Sequence, residues 1–209
     1  MSMIITIGRE FGSGGRELGK RIAEELGIAY YDKEILVEIA KKTDLAYDYV
    51  KQIIENKPIV YYPITIGHTL NVYNDNGFYS ESLSMNHNSI YAEQANVIKE
   101  LASKSDCVIV GRCADYILKD YKPFRIFVYS DMESKIKRCR EKNEAEADLP
   151  DKKLKKYIKK IDKQRKKYYE FYTSQEWGSM LNYDICVNTS NKSIKEVVHN
   201  IITIFKENK

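Results

Sequence analysis

The 209-residue chain holds few of the residues that specialised scaffolds need: four prolines, three histidines, four cysteines and one tryptophan. Cys107, Cys113, Cys139 and Cys186 form no C-x-x-C pair, which argues against a disulfide framework and a thiol metal site. His68, His87 and His199 stand at no metal-site spacing from a cysteine, so zinc is rejected. Cys107 and Cys186 lie in apolar runs and are expected to be buried small hydrophobes. No apolar run approaches the ~20 residues that cross a bilayer. Residues 1–8 are apolar but lack a basic leader and a cleavage site. The expectation is a cytoplasmic protein with no membrane partner.

Hydrophobic residues make up 43% of the chain, enough for one packed domain. The net charge of +4 is modest but uneven. Residues 135–170 carry 15 Lys/Arg against 7 Asp/Glu, a local cationic surface that implies an anionic partner.

Short apolar runs alternate with helix-period segments. Strands are expected at 3–8, 28–31, 107–110, 124–129 and 183–188, and helices at 15–26, 33–54, 89–104, 113–119, 131–142, 151–172 and 193–207. Continuous apolar strands suit a parallel sheet covered on both faces, and the alternation predicts right-handed βαβ units in a three-layer α/β fold. Ser130-Asp-Met-Glu133 and Ser193-Ile-Lys-Glu196 read as capping boxes. Residues 55–88 show no steady period, and so long an irregular stretch in a compact domain is usually functional or mobile.

The run Gly8-Arg-Glu-Phe-Gly-Ser-Gly-Gly-Arg-Glu17 joins the first strand to the first helix. Its glycines let successive N–H groups converge where the helix dipole is positive, a geometry that binds phosphate. The pattern G-x-x-x-x-G-K-[ST] is not met: with Gly15 as its last glycine, Arg16 takes the lysine position and Glu17 the hydroxyl position. Arginine keeps the charge and can fork across two oxygens. A carboxylate at Glu17 can hold Mg²⁺, in altered geometry. A dinucleotide loop is the rival reading, with Asp32 placed 20 residues beyond Gly12, but Glu17 at the third glycine position opposes it.

The sequence Ile5 to Glu17, together with Val-Ile-Val-Gly-Arg112-Cys-Ala-Asp-Tyr-Ile-Leu, resembles the bacterial cytidylate kinase-like family over nearly the whole chain. The resemblance implies a P-loop fold with a five-stranded parallel sheet, a nucleoside-monophosphate insert at about 45–95 and a helical lid at about 139–172. The core would be 1–44, 96–138 and 173–209. It further implies ATP with Mg²⁺, and small-molecule nucleotide substrates. Gly12, Ser13, Gly14, Gly15, Arg16 and Glu17 would hold ATP, with Thr189 and Ser190 beside the adenine and Glu17 on the metal. Asp32, Arg112 and Asp115 would bind the acceptor. Val110 and Cys113 stand where the family pattern has Asp.

Physical reading adds to the arginines. Arg112 follows an apolar strand and should sit at its carboxyl end, facing the ligand crevice. Arg165 shares a helical stripe with Leu154, Ile158, Ile161, Tyr168 and Tyr172, so it should point inward and need an anion. Arg138 matches a lid arginine of the resembled family, in the helix after the fourth strand, so Arg16, Arg112, Arg138 and Arg165 are the expected catalytic group of a phosphoryl transferase, with CMP as a candidate acceptor. A regulatory nucleotide-binding module is the alternative. The lysines of 151–172 read as a solvated face rather than a nucleic-acid surface.

Overall fold

The computed structural model describes residues 2–55, 77–142 and 147–207. Five parallel strands, β1 (Ile4–Arg9), β2 (Ala29–Tyr31), β3 (Cys107–Val110), β4 (Phe124–Tyr129) and β5 (Ile185–Asn188), lie in the order β2-β3-β1-β4-β5. Eight α-helices are described: α1 (Gly15–Leu26), α2 (Glu34–Thr43), α3 (Tyr47–Glu55), α4 (Gly77–Lys104), α5 (Ala114–Ile117), α6 (Met132–Glu141), α7 (Asp151–Thr173) and α8 (Ile194–Glu207). The fold is three-layered α/β, with an all-parallel sheet.

Continuous apolar runs become central strands because helices cover both faces. On one face α1 and α8 bring Leu18, Ile22, Val198 and Ile202 against Ile5, Ile7, Val108, Val110, Ile126 and Val128. On the other, α2, α3 and α4 bring Ile35, Leu36, Ile39, Val50 and Ile98 against Ile4 and Ile109. Ile7 and Ile109 are wholly buried, each contributing ~1.5–3 kcal/mol of transfer free energy. A third cluster joins Cys139 of α6 to Leu154 and Ile158 of α7.

The structure departs from the sequence reading in four places. The helix expected at 33–54 is two helices, because Asp44 adopts a left-handed φ of 54° and ends α2, a conformation Asp tolerates better than most residues. Residues 77–88, read as irregular, continue α4, and residues 56–76 lie outside the described residues. The cap of α6 is Asp131, which accepts from Ser134 N–H at 2.7 Å, so the expected box is displaced by one residue from Ser130. Cys186 is exposed rather than buried, since β5 is an edge strand whose alternate residues face solvent. Cys107, on interior β3, is buried as expected.

The register places the site. Ile7 pairs with Val110 and the Gly111 N–H donates to Ile7 O at 2.9 Å, so the β1 and β3 chains leave the sheet at the same level. In an open α/β sheet that carboxyl edge holds the ligand crevice.

Candidate active site

The loop after β1 is shaped by bonds that pull its carbonyls away from its N–H groups. Arg138 donates through Nη1 to Gly12 O at 2.8 Å and through Nη2 to Thr189 O at 3.1 Å. Thr189, wholly buried, donates its hydroxyl to Ser13 O at 2.7 Å. Ser13 Oγ donates to Glu10 O at 2.8 Å. Gly14 caps α1 with φ 83°, which a side chain would resist, and no side chain caps the helix. Among the described residues the N–H groups of Gly14, Gly15 and Arg16 have no acceptor. Uncapped N–H groups at a positive helix end make an anion seat.

A second turn follows β3. Gly111, Arg112 and Cys113 all take left-handed backbone, with φ of 72°, 62° and 55°. Two consecutive non-glycine residues there store strain of roughly 1–3 kcal/mol each, which the surroundings must hold. Gln94 of α4 is wholly buried and donates to Arg112 O at 3.0 Å, and Tyr168 of α7 donates to Gln94 Oε1 at 3.4 Å. Arg112 Nε is buried and makes no hydrogen bond among the described residues.

Between the two turns the charges are out of balance. Asp32, at the end of β2 and 4% exposed, takes Arg16 Nε at 2.6 Å on one oxygen and has Arg9 Nη2 at 3.6 Å from the other. Arg16, Arg112 and Arg165 all lie close enough to Arg9 to act on its charge, and Asp32 is the carboxylate that opposes them. Burial first, then the neighbouring Arg165, push Arg9 down to about 9, with Asp32 opposing and Arg112 and Arg16 adding to the fall. A cationic group under that pressure favours an arriving anion.

These groups border a cavity of about 880 Å³. Eight lysine and arginine side chains line it, against Asp48 and Asp115 as the acidic members, so the field inside is positive. Tyr157, Tyr168, Tyr169, Trp177 and Tyr183 supply an aromatic wall. Asp115, 9% exposed, accepts from Tyr169 O–H at 2.6 Å. Burial raises its pKa above the ordinary carboxylate value, although the Tyr169 bond works the other way.

Helix α7 is tied into the loop. Asp162 accepts from Phe11 N–H at 2.6 Å and from Lys135 Nζ at 2.9 Å, and Lys135 also reaches Glu10 at 2.9 Å. One turn on, Arg165 donates to Arg9 O at 3.2 Å and lies 5.6 Å above the Phe11 ring.

The structure therefore brings together Arg16, Arg112, Asp115 and Arg165 around the cavity, with Asp32 behind Arg9 and Arg16, and Gly12, Ser13, Gly14 and Gly15 at the helix end. Arg138 and Thr189 lie behind the loop as its braces. Ser190 accepts from Asp131 N–H at 2.8 Å, holding the start of α6. Glu17 is sealed: it pairs with Lys142, and with Arg21 at 2.9 Å. Burial alone would raise its pKa, but bonds from Lys142 and Arg21 outweigh that and hold it below the ordinary value. No group of three His, Cys, Asp or Glu side chains suited to a metal occurs among the described residues. A metal ion reaching Glu17 would have to displace Lys142 or Arg21 from its carboxylate.

The sequence reading missed Arg9, Gln94, Lys135 and Asp162. Asp162 carried a signal: it lies four residues after Ile158, on the buried stripe of α7.

The model of the cytidylate kinase-like family matches residues 4–191. The chain belongs to the cytidylate kinase-like family. Its fold is shared by an uncharacterized protein from Eubacterium ventriosum, at 30% identity and TM-score 0.68, with 98% of each chain covered. It is also shared by two shikimate kinases. The enzyme from Bacteroides thetaiotaomicron is 14% identical with TM-score 0.56, 99% of each chain being covered. The enzyme from Acinetobacter baumannii, in complex with shikimate, is 16% identical with TM-score 0.52, over 100% of this chain and 95% of the other. No curated protein matches the chain. The family match and these structural likenesses give the chain a kinase-like α/β fold. No described helix is long and apolar enough to cross a membrane.

Proposed function

We propose that this chain transfers the γ-phosphoryl group of ATP to a small anionic acceptor, a nucleoside monophosphate such as CMP. The observation that carries the reading is the gathering of Arg16, Arg112 and Arg165 about Arg9 on the cavity wall, with Asp32 as the one carboxylate paired to Arg9 and Arg16. Phosphoryl transfer needs little covalent help. It needs two anionic groups held in line, positive charge where charge develops, and water kept out.

The uncapped end of α1 would hold the ATP phosphates through the N–H groups of Gly14, Gly15 and Arg16. Mg²⁺ would arrive with those phosphates, as it often keeps only one or two protein ligands, and either Glu17 beside the loop or Asp32, whose Oδ1 is buried without a hydrogen bond, would offer a carboxylate oxygen. Arg112, with an unbonded Nε, would take the acceptor's anionic group. That group is a phosphate in a nucleotide and a carboxylate in a hydroxy acid such as shikimate. The cavity of about 880 Å³ falls near the top of the range for small-molecule sites, roughly 300–1,000 Å³, which supports the larger acceptor.

The test is a coupled assay with ATP and Mg²⁺ offering CMP, dCMP, UMP, AMP, GMP and shikimate in turn. A phosphorylated nucleotide is the expected product. Turnover of shikimate alone would replace the acceptor. Tight ATP binding with no product from any acceptor would overturn the kinase reading.

A further inference from the structure

We propose that Arg9, not the arginine at the lysine position of the loop, is the catalytic residue that places fixed positive charge on the phosphoryl group in flight. The inference rests on the kinase reading above and names a residue that the loop pattern does not contain.

Two glycines build a slot for Arg9. A Cβ at Gly15 would lie 2.5 Å from Arg9 Cβ, and a Cβ at Gly111 would lie 1.5 Å from Arg9 Nη1. The stem therefore passes over the first turn of α1, and the head lies flat on the backbone that ends β3. Any side chain at Gly111 would expel the guanidinium. Arg165 fixes the other end of the residue by donating to its carbonyl at 3.2 Å. The head is left 15% exposed, on the cavity wall, 3.6 Å from Asp32 Oδ1 and beside the Arg112 turn.

Arg16 is placed differently. Its side chain is 56% exposed and its Nε is committed to Asp32 at 2.6 Å. A half-exposed arginine already neutralised by a carboxylate is suited to gripping phosphate at the rim. It is poorly suited to holding charge at one point. Arg9 has the opposite properties: it is confined, nearly buried and under-compensated. Preorganised charge in a site that excludes water is worth most because nothing reorganises during the reaction.

In the step itself the acceptor oxygen forms a bond to the γ-phosphorus while the bond from that phosphorus to the β,γ-bridging oxygen breaks. The bridging oxygen keeps the electron pair and leaves as part of ADP. An acceptor phosphate oxygen carries no proton to lose, and an acceptor hydroxyl releases its proton to solvent. Arg9 stands between the loop that seats the donor and the turn that presents Arg112. Its N–H groups can meet the oxygens on which negative charge grows.

The test compares Arg9→Ala, Arg9→Lys and Arg16→Ala with the parent. It measures ATP affinity by calorimetry, steady-state kcat and KM, and the thermal midpoint. Arg9→Ala should lower kcat about a thousandfold, the lower end of what an arginine finger contributes, with ATP affinity changed less than about threefold. Arg9→Lys should recover only part of that loss, because an ammonium lacks the fork. Free guanidinium should raise the rate of Arg9→Ala but not that of Arg16→Ala, a response that a merely structural role would not give. Arg16→Ala should chiefly weaken ATP binding. A larger kcat loss in Arg16→Ala than in Arg9→Ala, or an Arg9→Ala loss that follows ATP affinity or thermal midpoint, overturns the proposal. If the parent binds ATP yet phosphorylates no acceptor, the kinase reading fails. The same variants are then ranked by slow hydrolysis of ATP, where Arg9→Ala equal to the parent overturns Arg9 separately. A parent that binds no ATP overturns both.

Discussion

Two glycine-led turns leave neighbouring strands at the same level, and the protein holds them by different means. The turn after β1 is fixed from outside, by Arg138, Thr189 and Asp162, which seize its backbone from α6, from the end of β5 and from α7. Its own dihedrals are eased by glycine. The turn after β3 is fixed under strain, with Arg112 and Cys113 both left-handed and one buried amide, Gln94, holding the carbonyl between them. The first turn leaves the N–H groups at the start of α1 uncapped, and the second leaves an arginine Nε unbonded. On the proposed reading the first turn, as the ATP seat, can be rigid and glycine-built. The second, as the acceptor seat, would need a side chain, which the strained turn at Arg112 would aim.

Removing Asp162 would break the first turn and should give the largest effect. Asp162→Ala leaves the Phe11 N–H unpaired and Lys135, 4% exposed, with Glu10 alone. Loss of one partner of a buried charge costs about 3–5 kcal/mol, so urea unfolding should show a drop of that order, with ATP affinity falling too. An unchanged midpoint would mean the loop holds its own shape.

Gln94→Leu probes the second turn and should act more selectively. The side chains are similar in volume, but the Arg112 carbonyl loses its donor, at a cost of about 1–3 kcal/mol. Acceptor KM should rise roughly tenfold or more while ATP affinity stays put, since about 1.4 kcal/mol is a factor of ten. Equal losses for both ligands would merge the two turns into one unit.

The smallest effect concerns pH. Burial raises the Asp115 pKa in the folded state, so the fold binds a proton more tightly there than the unfolded chain does. Stability from this group is complete below the ordinary carboxylate value and is lost as pH rises through the raised folded value. Asp115→Asn should flatten that part of the curve of unfolding free energy against pH. A parallel curve would assign the dependence elsewhere.

The sheet was legible because its interior strands are continuous apolar runs with no competing reading; 107–110 and 124–129 coincide with β3 and β4. Alternation of strand and helix then left few topologies open. The glycines of the loop were legible for the same local reason. Arg9 was not, because its meaning depends on Gly111, a residue distant in sequence that touches it only after β1 and β3 pair. Asp162 was hidden among lysines, although its spacing from Ile158 was helical. Cys186 shows the converse: an apolar run says nothing of whether its strand lies inside the sheet or at its edge.

Pairing of β1 with β3 has one more consequence. The Gly111 N–H bonds to Ile7 O, so the two turns spring from strands one spacing apart, about 4.8 Å, a distance that belongs to the peptide group rather than to any side chain. Evolution can repaint the walls of such a crevice but cannot slide the roots of its two turns. A relative with this strand order inherits those roots and can vary only the loops and side chains that grow from them.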